Sequence, residues 1–142
     1  MYLVDVNVLI AIVDSGHTAH ETAVGWFRNH CRSGWATCPI TENALVRILS
    51  QPSYPNSRDC PTIIDLLRQL KRYPGHQFWQ DDLSVAEPGI FSDPSRLTAK
   101  RLTDAYLLAL ALRNHGQVVT FDARIDATIV TGGSAALLLI DQ

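Results

Sequence analysis

The sequence predicts an α/β fold with a mostly parallel central sheet. Three observations predict it. Short apolar runs alternate along the chain with stretches of helical spacing, the order that builds parallel sheets through crossover helices. The 142 residues make one ordinary domain, long enough to bury a core. The composition, 46% hydrophobic against 18% charged, fits a compact globule, and there is neither an internal repeat nor a low-complexity tract. Residues 1–142 are therefore read as one domain.

Residues 2–5 form a short apolar run ending in Asp5 and read as a strand; residues 7–13 continue as a short apolar helix. Residues 18–32 show helical spacing, with Ala19, Ala23, Trp26 and Phe27 on one side, and Ser33-Gly34 stops them. Residues 35–38 read as a second strand. A helix follows over residues 41–50, with Leu45, Ile48 and Leu49 on its inner face. Pro52, Pro55 and Asn56 make residues 51–58 a loop. Asp59 can cap a further helix that has Pro61 in its first turn, an apolar stripe of Ile64, Leu67 and Leu70, and a stop at Pro74-Gly75. Phe78-Trp79 starts a short edge strand, and residues 81–95 are turn-rich and acidic. The strongest helix spans residues 103–114, with Thr103 as its cap. Residues 105–112 are apolar on every face, which predicts burial. Residues 117–121 form a strand followed directly by Asp122, and residues 136–140 form the last strand.

Three cysteines, Cys31, Cys38 and Cys60, with no C-x-x-C pair, exclude a disulfide framework and a zinc site. They read as buried or half-buried thiols of a reducing compartment. No stretch is long enough to span a membrane, and the apolar start lacks a basic leader and is interrupted by Asp5 and Asn7. The chain is read as cytoplasmic. Its formal net charge of −2 does not exclude nucleic acid. Neutralising four carboxylates with metal would leave it positive, with twelve Lys and Arg side chains free for phosphate.

The acids carry the functional argument. In an open parallel sheet, helix N-termini lie at the same edge as strand C-termini, and ligands bind there. Asp5 and Asp122 end strands, while Glu42 and Asp104 open helices, so all four fall at that edge. Taken singly, Glu42 and Asp104 also suit a helix dipole, and Asp122 suits a turn. Asp5, between Val4 and Val6, is costly without a partner. Carboxylates that close stay charged only with a cation or donors among them, and hard oxygen ligands suit Mg2+ or Mn2+. Such clusters serve phosphoryl transfer.

Four blocks point to a family: Y-L-V-D-V-N-V-L-I at residues 2–10, T-E-N-A-L-V-R at 41–47, L-T-D-A-Y-L-L-A-L-A at 102–111 and V-T-F-D-A-R-I at 119–125. In this order they resemble the blocks of PIN-domain nucleases, and the length and the last two blocks look most like VapC-type toxins of prokaryotic toxin–antitoxin pairs. The resemblance implies a three-layer α/β/α PIN-like domain and cleavage of RNA that depends on Mg2+ or Mn2+. It also implies a homodimer and a VapB-type antitoxin that inserts a peptide into the acidic groove. Carried over by position, Asp5, Glu42, Asp104 and Asp122 form the acidic quartet, Asn7 hydrogen-bonds within the site, and Thr120 supports Asp122.

On this reading Asp5 and Asp104 are the primary metal ligands, with Glu42 and Asp122 completing the site. Arg47 and Arg124, with Arg96, Lys100 and Arg101, are candidates to grip RNA, although each also suits a solvated surface. His17 and His20 fit a surface better than a metal pair. Two rival readings are weaker. A haloacid-dehalogenase-like phosphatase wants an aspartate where Asn7 stands, and a catalytically inactive binding module would not need the full quartet.

Overall fold

The computed structural model describes all 142 residues. The elements run β1 (Tyr2–Val4), α1 (Val6–Val13), α2 (His20–His30), β2 (Trp35–Thr37), α3 (Pro39–Leu49), α4 (Cys60–Leu70), β3 (His76–Phe78), α5 (Leu102–Arg113), β4 (Gln117–Thr120) and β5 (Leu137–Leu139). The strands form one sheet in the order β3-β2-β1-β4-β5, and every pairing is parallel.

Side chains alternate across a strand, so neighbouring residues feed opposite cores. Leu3, Ala36 and Val118 pack on the face covered by α5; Val4, Trp35 and Val119 pack on the face covered by α1 to α4. The result is the expected three layers. β1 is central and buried on both faces, which explains its continuous apolar run. No helix is long and apolar enough to cross a membrane.

Several local expectations shift. α5 begins at Leu102 with Arg101 at its N-cap and no side-chain cap bond, so Thr103 is not the cap but an exposed first-turn residue. Its apolar stretch is buried from Ala105 to Ala111, while Leu112 is half-buried at the helix end. The inner stripe of α4 is Ile63, Leu67 and Leu70, because one residue of helical phase turns Ile64 partly outward. β3 is an edge strand but starts at His76, and Trp79, just past it, drops into the α5-side core. Cys31 and Cys38 are buried, whereas Cys60, at the start of α4, is exposed.

Local contacts also pin two loops. Asp14 closes α1 and accepts hydrogen bonds from Tyr54 Oη at 2.5 Å, Asn56 Nδ2 at 2.8 Å and the Gly16 backbone N–H at 3.0 Å, tying the proline-rich loop to the helix end. Before β3, Gly75 takes φ +86°, and a Cβ there would lie 2.1 Å from the Cys31 carbonyl oxygen. Its own carbonyl accepts from the Trp35 N–H at 3.0 Å. Gly75→Ala should therefore cost about 2–4 kcal/mol from left-handed strain plus the clash, read as a lower midpoint in urea unfolding. An unchanged midpoint would contradict this account of the β2–β3 junction.

Candidate active site

From β1 the chain builds outward through β2 to β3, then crosses back under α5 to β4 on the other side of β1. The sheet thus reverses its winding between β1 and β4, and a crevice opens beyond their carboxyl ends. Asp5 follows β1, Asp122 lies just past β4, and Asp104 sits in the first turn of α5. Asp104 and Asp122 line a cavity of about 280 Å3 with Lys100, Arg101, Arg124 and Asp126.

Thr120, the fully buried last residue of β4, organises this crevice. Its hydroxyl donates to Asp5 Oδ2 at 2.7 Å, and its oxygen accepts from Asn7 Nδ2 at 2.8 Å and from the Asp122 N–H at 3.1 Å. Asp5 Oδ1 accepts from the Val6 N–H at 2.7 Å at the start of α1. Asn7 Oδ1 in turn accepts from the Phe121 N–H at 3.3 Å. Asp5, Asn7 and Thr120 therefore form one network across the β1–β4 seam.

The electrostatics follow from burial and crowding. Burial pushes the Asp5 carboxyl up, against the hydrogen bonds from Thr120 and Val6, and the charge of Asp122 adds to the rise. Asp104 is pushed up to about 6 by burial and by the charges of Asp5 and Asp122. Asp122 is held low, chiefly because Arg124 binds it. The guanidinium Nε reaches Oδ1 at 2.9 Å and Nη2 reaches Oδ2 at 3.0 Å, while the Arg124 backbone N–H meets Oδ1 at 2.9 Å. Neither Asp5 nor Asp104 is in a salt bridge, and the Arg124 charge offsets only part of the rise at Asp104. The three carboxylates share one field but are not closed into a ready-made ligand shell.

Glu42 is not brought to this group. It opens α3 at the expected sheet edge, but its Oε1 accepts from Thr37 Oγ1 at 2.6 Å and pairs with Lys71 Nζ at 2.7 Å. The cause is helical phase. At about 100° per residue, Ile40, Asn43, Ala44, Arg47 and Ile48 share one side of α3, and Glu42 projects from the opposite side, toward α4. Thr37 also meets His76 Nε2 at 2.8 Å, and burial and then Lys71 hold the His76 pKa low.

The cleft-facing side of α3 belongs to a second, open cleft of about 540 Å3, bordered by Val6, Asn43, Arg47, Asp81 and Thr103. Val6 and Thr103 adjoin Asp5 and Asp104 in the chain, so the two clefts flank the same acids. Arg47 lines this second cleft; Lys100, Arg101 and Arg124 line the first. Arg96 does not line either cleft; it is paired with Asp126, which lines the first, and bonded to Thr128. His17 and His20 make local bonds, to the Ala19 N–H and to the Ala11 carbonyl. Reasoning on sequence missed Lys71 and Thr37 as partners of Glu42, and also Asn43 and Asp81. The one signal for Asp81 was an acid two residues past Trp79, in a segment treated as plain loop.

Comparison with known proteins agrees with this architecture. The PIN domain family model matches residues 2–129. Ribonuclease VapC44 of Mycobacterium tuberculosis is 44% identical over 133 residues, 93% of either chain. Ribonuclease VapC39 of the same organism is 40% identical over 124 residues, covering 87% of this chain and 89% of that one. Among solved structures, the sarcin-ricin-loop-cleaving toxin VapC20 of M. tuberculosis superposes with TM-score 0.60 at 11% identity, over 92% of this chain and 97% of its own. VapBC2 of Rickettsia felis, bound to a DNA fragment from its promoter, gives 0.57 at 11% identity, over 99% and 98%. The chain belongs to the PIN-domain family, and within it to the ribonucleases of the VapC kind.

Proposed function

We propose that the protein is a Mg2+-dependent endoribonuclease, able to use Mn2+, and the toxin of a pair whose other member is a VapB-type antitoxin. The observation that carries the reading is the convergence of Asp5, Asp104 and Asp122 at the point where the sheet reverses its winding. A homodimer and a cytoplasmic site of action are proposed from kinship with VapC proteins.

The donor set suits a divalent cation. Asp104 feels two other carboxylates whose charges outweigh that of Arg124, and hard oxygen donors match Mg2+ and Mn2+. Asp5, Asp104 and Asp122 would hold the ion; Glu42, turned to Lys71, is assigned a structural part. When bound, such an ion offsets charge developing on a phosphodiester and lowers the pKa of water. The protein's own side chains do the rest. Thr120 and Asn7 fix the orientation of the Asp5 carboxylate. Lys100, Arg101 and Arg124 line the cavity where RNA phosphates would pass, so Arg124 exchanges Asp122 for phosphate as substrate enters. No histidine lines this cavity, and none is required as a base.

Two outcomes test this. Asp5→Asn and Asp104→Asn should each lower metal-dependent RNA cleavage by roughly 100-fold or more, whereas Glu42→Gln should stay within about tenfold of wild type. Equal losses at Glu42 and Asp104 would return Glu42 to the ligand set. The second outcome concerns pH. Because the Asp104 pKa is raised in the folded state, its contribution to stability is full below the unfolded value and is lost as pH rises through about 6. In EDTA, the melting temperature of wild type relative to Asp104→Asn should fall between about pH 4 and about pH 6 and level off above, and millimolar Mg2+ should abolish that fall. A difference independent of both pH and Mg2+ would sink the proposed ion site.

A further inference from the structure

The second cleft is unexplained by the acid site, and its polar side chains have a common property. Asn43, Arg47 and Asp81 all line it; Asn43 and Arg47 have no side-chain hydrogen-bond or ion-pair partner within the protein, and Asp81 has no ion-pair partner and only the Cys38 thiol and the Ile40 backbone N–H as near donors. Asp81 is the most telling. Its Oδ1 is buried and makes no well-aligned hydrogen bond, with only the Cys38 thiol and the Ile40 backbone N–H close by, and burial on such terms is costly. The neighbouring acid Asp82 approaches Arg113, and Arg96, Lys71 and Arg124 serve other carboxylates, so no cation within the protein answers Asp81. The walls beside it, Val6 and Ile40, are apolar. An apolar slot with a few unsatisfied, converging polar groups has the make-up of a ligand site.

The chemistry of the three groups selects the ligand. A carboxylate offers only acceptors, so it wants two adjacent N–H donors. Among the RNA bases, only guanine carries two side by side on its Watson–Crick edge, N1–H and the 2-amino group. Adenine and cytosine set one amino group beside a ring acceptor, and uracil sets its N–H between two carbonyls, so each meets repulsion. The amide of Asn43 can donate to guanine O6, and Arg47 can meet an adjoining phosphate. A partial turn about its broad last torsion brings Oδ1 out from beside Cys38 and Ile40, so that both oxygens face the base.

We propose that this cleft is a nucleobase subsite that takes an unstacked guanine of the RNA, with Asp81 as the specificity-determining residue. The proposal rests on the reading of the protein as a ribonuclease and adds to it a base preference beside the scissile phosphate. Single-stranded RNA is the form that can deliver such a base, since the Watson–Crick edge is free only there.

The test reads binding, so that its failure is separable from failure of the nuclease reading. Asp104→Asn in EDTA is titrated against short fluorescent oligouridines that carry one central guanosine, inosine, adenosine or cytidine, and anisotropy is followed. Inosine lacks only the 2-amino group. The guanosine oligomer should bind at least about fivefold more tightly than the inosine oligomer, the low end expected for a bidentate base contact. Adding Asp81→Asn should erase that difference, while Arg47→Ala should weaken every oligomer about equally. Equal affinity for guanosine and inosine overturns the proposal, and so does a guanosine preference that survives in a folded Asp81→Asn protein. The guanosine–inosine comparison uses the intact cleft, so it decides even if the Asp81 variant does not fold. Guanosine preference without cleavage by wild type would uphold the subsite and sink the nuclease reading; cleavage without guanosine preference would do the reverse.

Discussion

The hydroxyl of Thr120 is the interaction on which the rest of the crevice depends. It is fully buried, and it has one proton to give and two lone pairs to fill. The proton goes to Asp5, and the lone pairs take Asn7 and the backbone of Asp122. One small group thereby joins the end of β1, the first turn of α1 and the exit from β4. A carboxylate as buried as Asp5 could not be held in a fixed orientation by solvent, so the strand that follows in space, though not in sequence, supplies the donor.

How much of this was legible in the sequence divides along physical lines. Strand and helix order follows from local periodicity, and the whole series of elements was readable from it. Placing Asp5, Asp104 and Asp122 at one edge needed only the rule that strand ends and helix starts coincide in a parallel sheet. Glu42 obeys the same rule, yet its side chain turns away. Position at a helix start fixes an end of the helix but not an azimuth, and azimuth depends on which neighbours α3 packs against. Ile40, Ala44 and Arg47 take the cleft side, and Glu42 is left facing Lys71 of the α4 end. Nothing local in residues 41–47 encodes Lys71, which is brought there by tertiary packing.

The same distinction explains Asp81. Its segment has no periodicity, so its course depends on Trp79 burying itself against α5 and carrying the following residues to the edge of the α3 helix. Thr103 is a milder case. It has the chemistry of a cap, but the chain enters the helix two residues earlier, at Arg101. Local preference was overridden by the need to set the uniformly apolar Ala105–Ala111 stretch beneath the sheet.

The Thr120 bond also has a meaning in time. It spans 115 residues of sequence, from Asp5 to the last residue of β4, with Asp122 just past it. A growing polypeptide therefore carries Asp5 long before the residues that orient it exist. The early β1, β2 and β3 can assemble with α1 to α4, whereas the acidic crevice waits for the late α5–β4 passage to close on the other side of β1. Until that passage closes, Asp5 lacks the donor that orients it, and the crevice is incomplete.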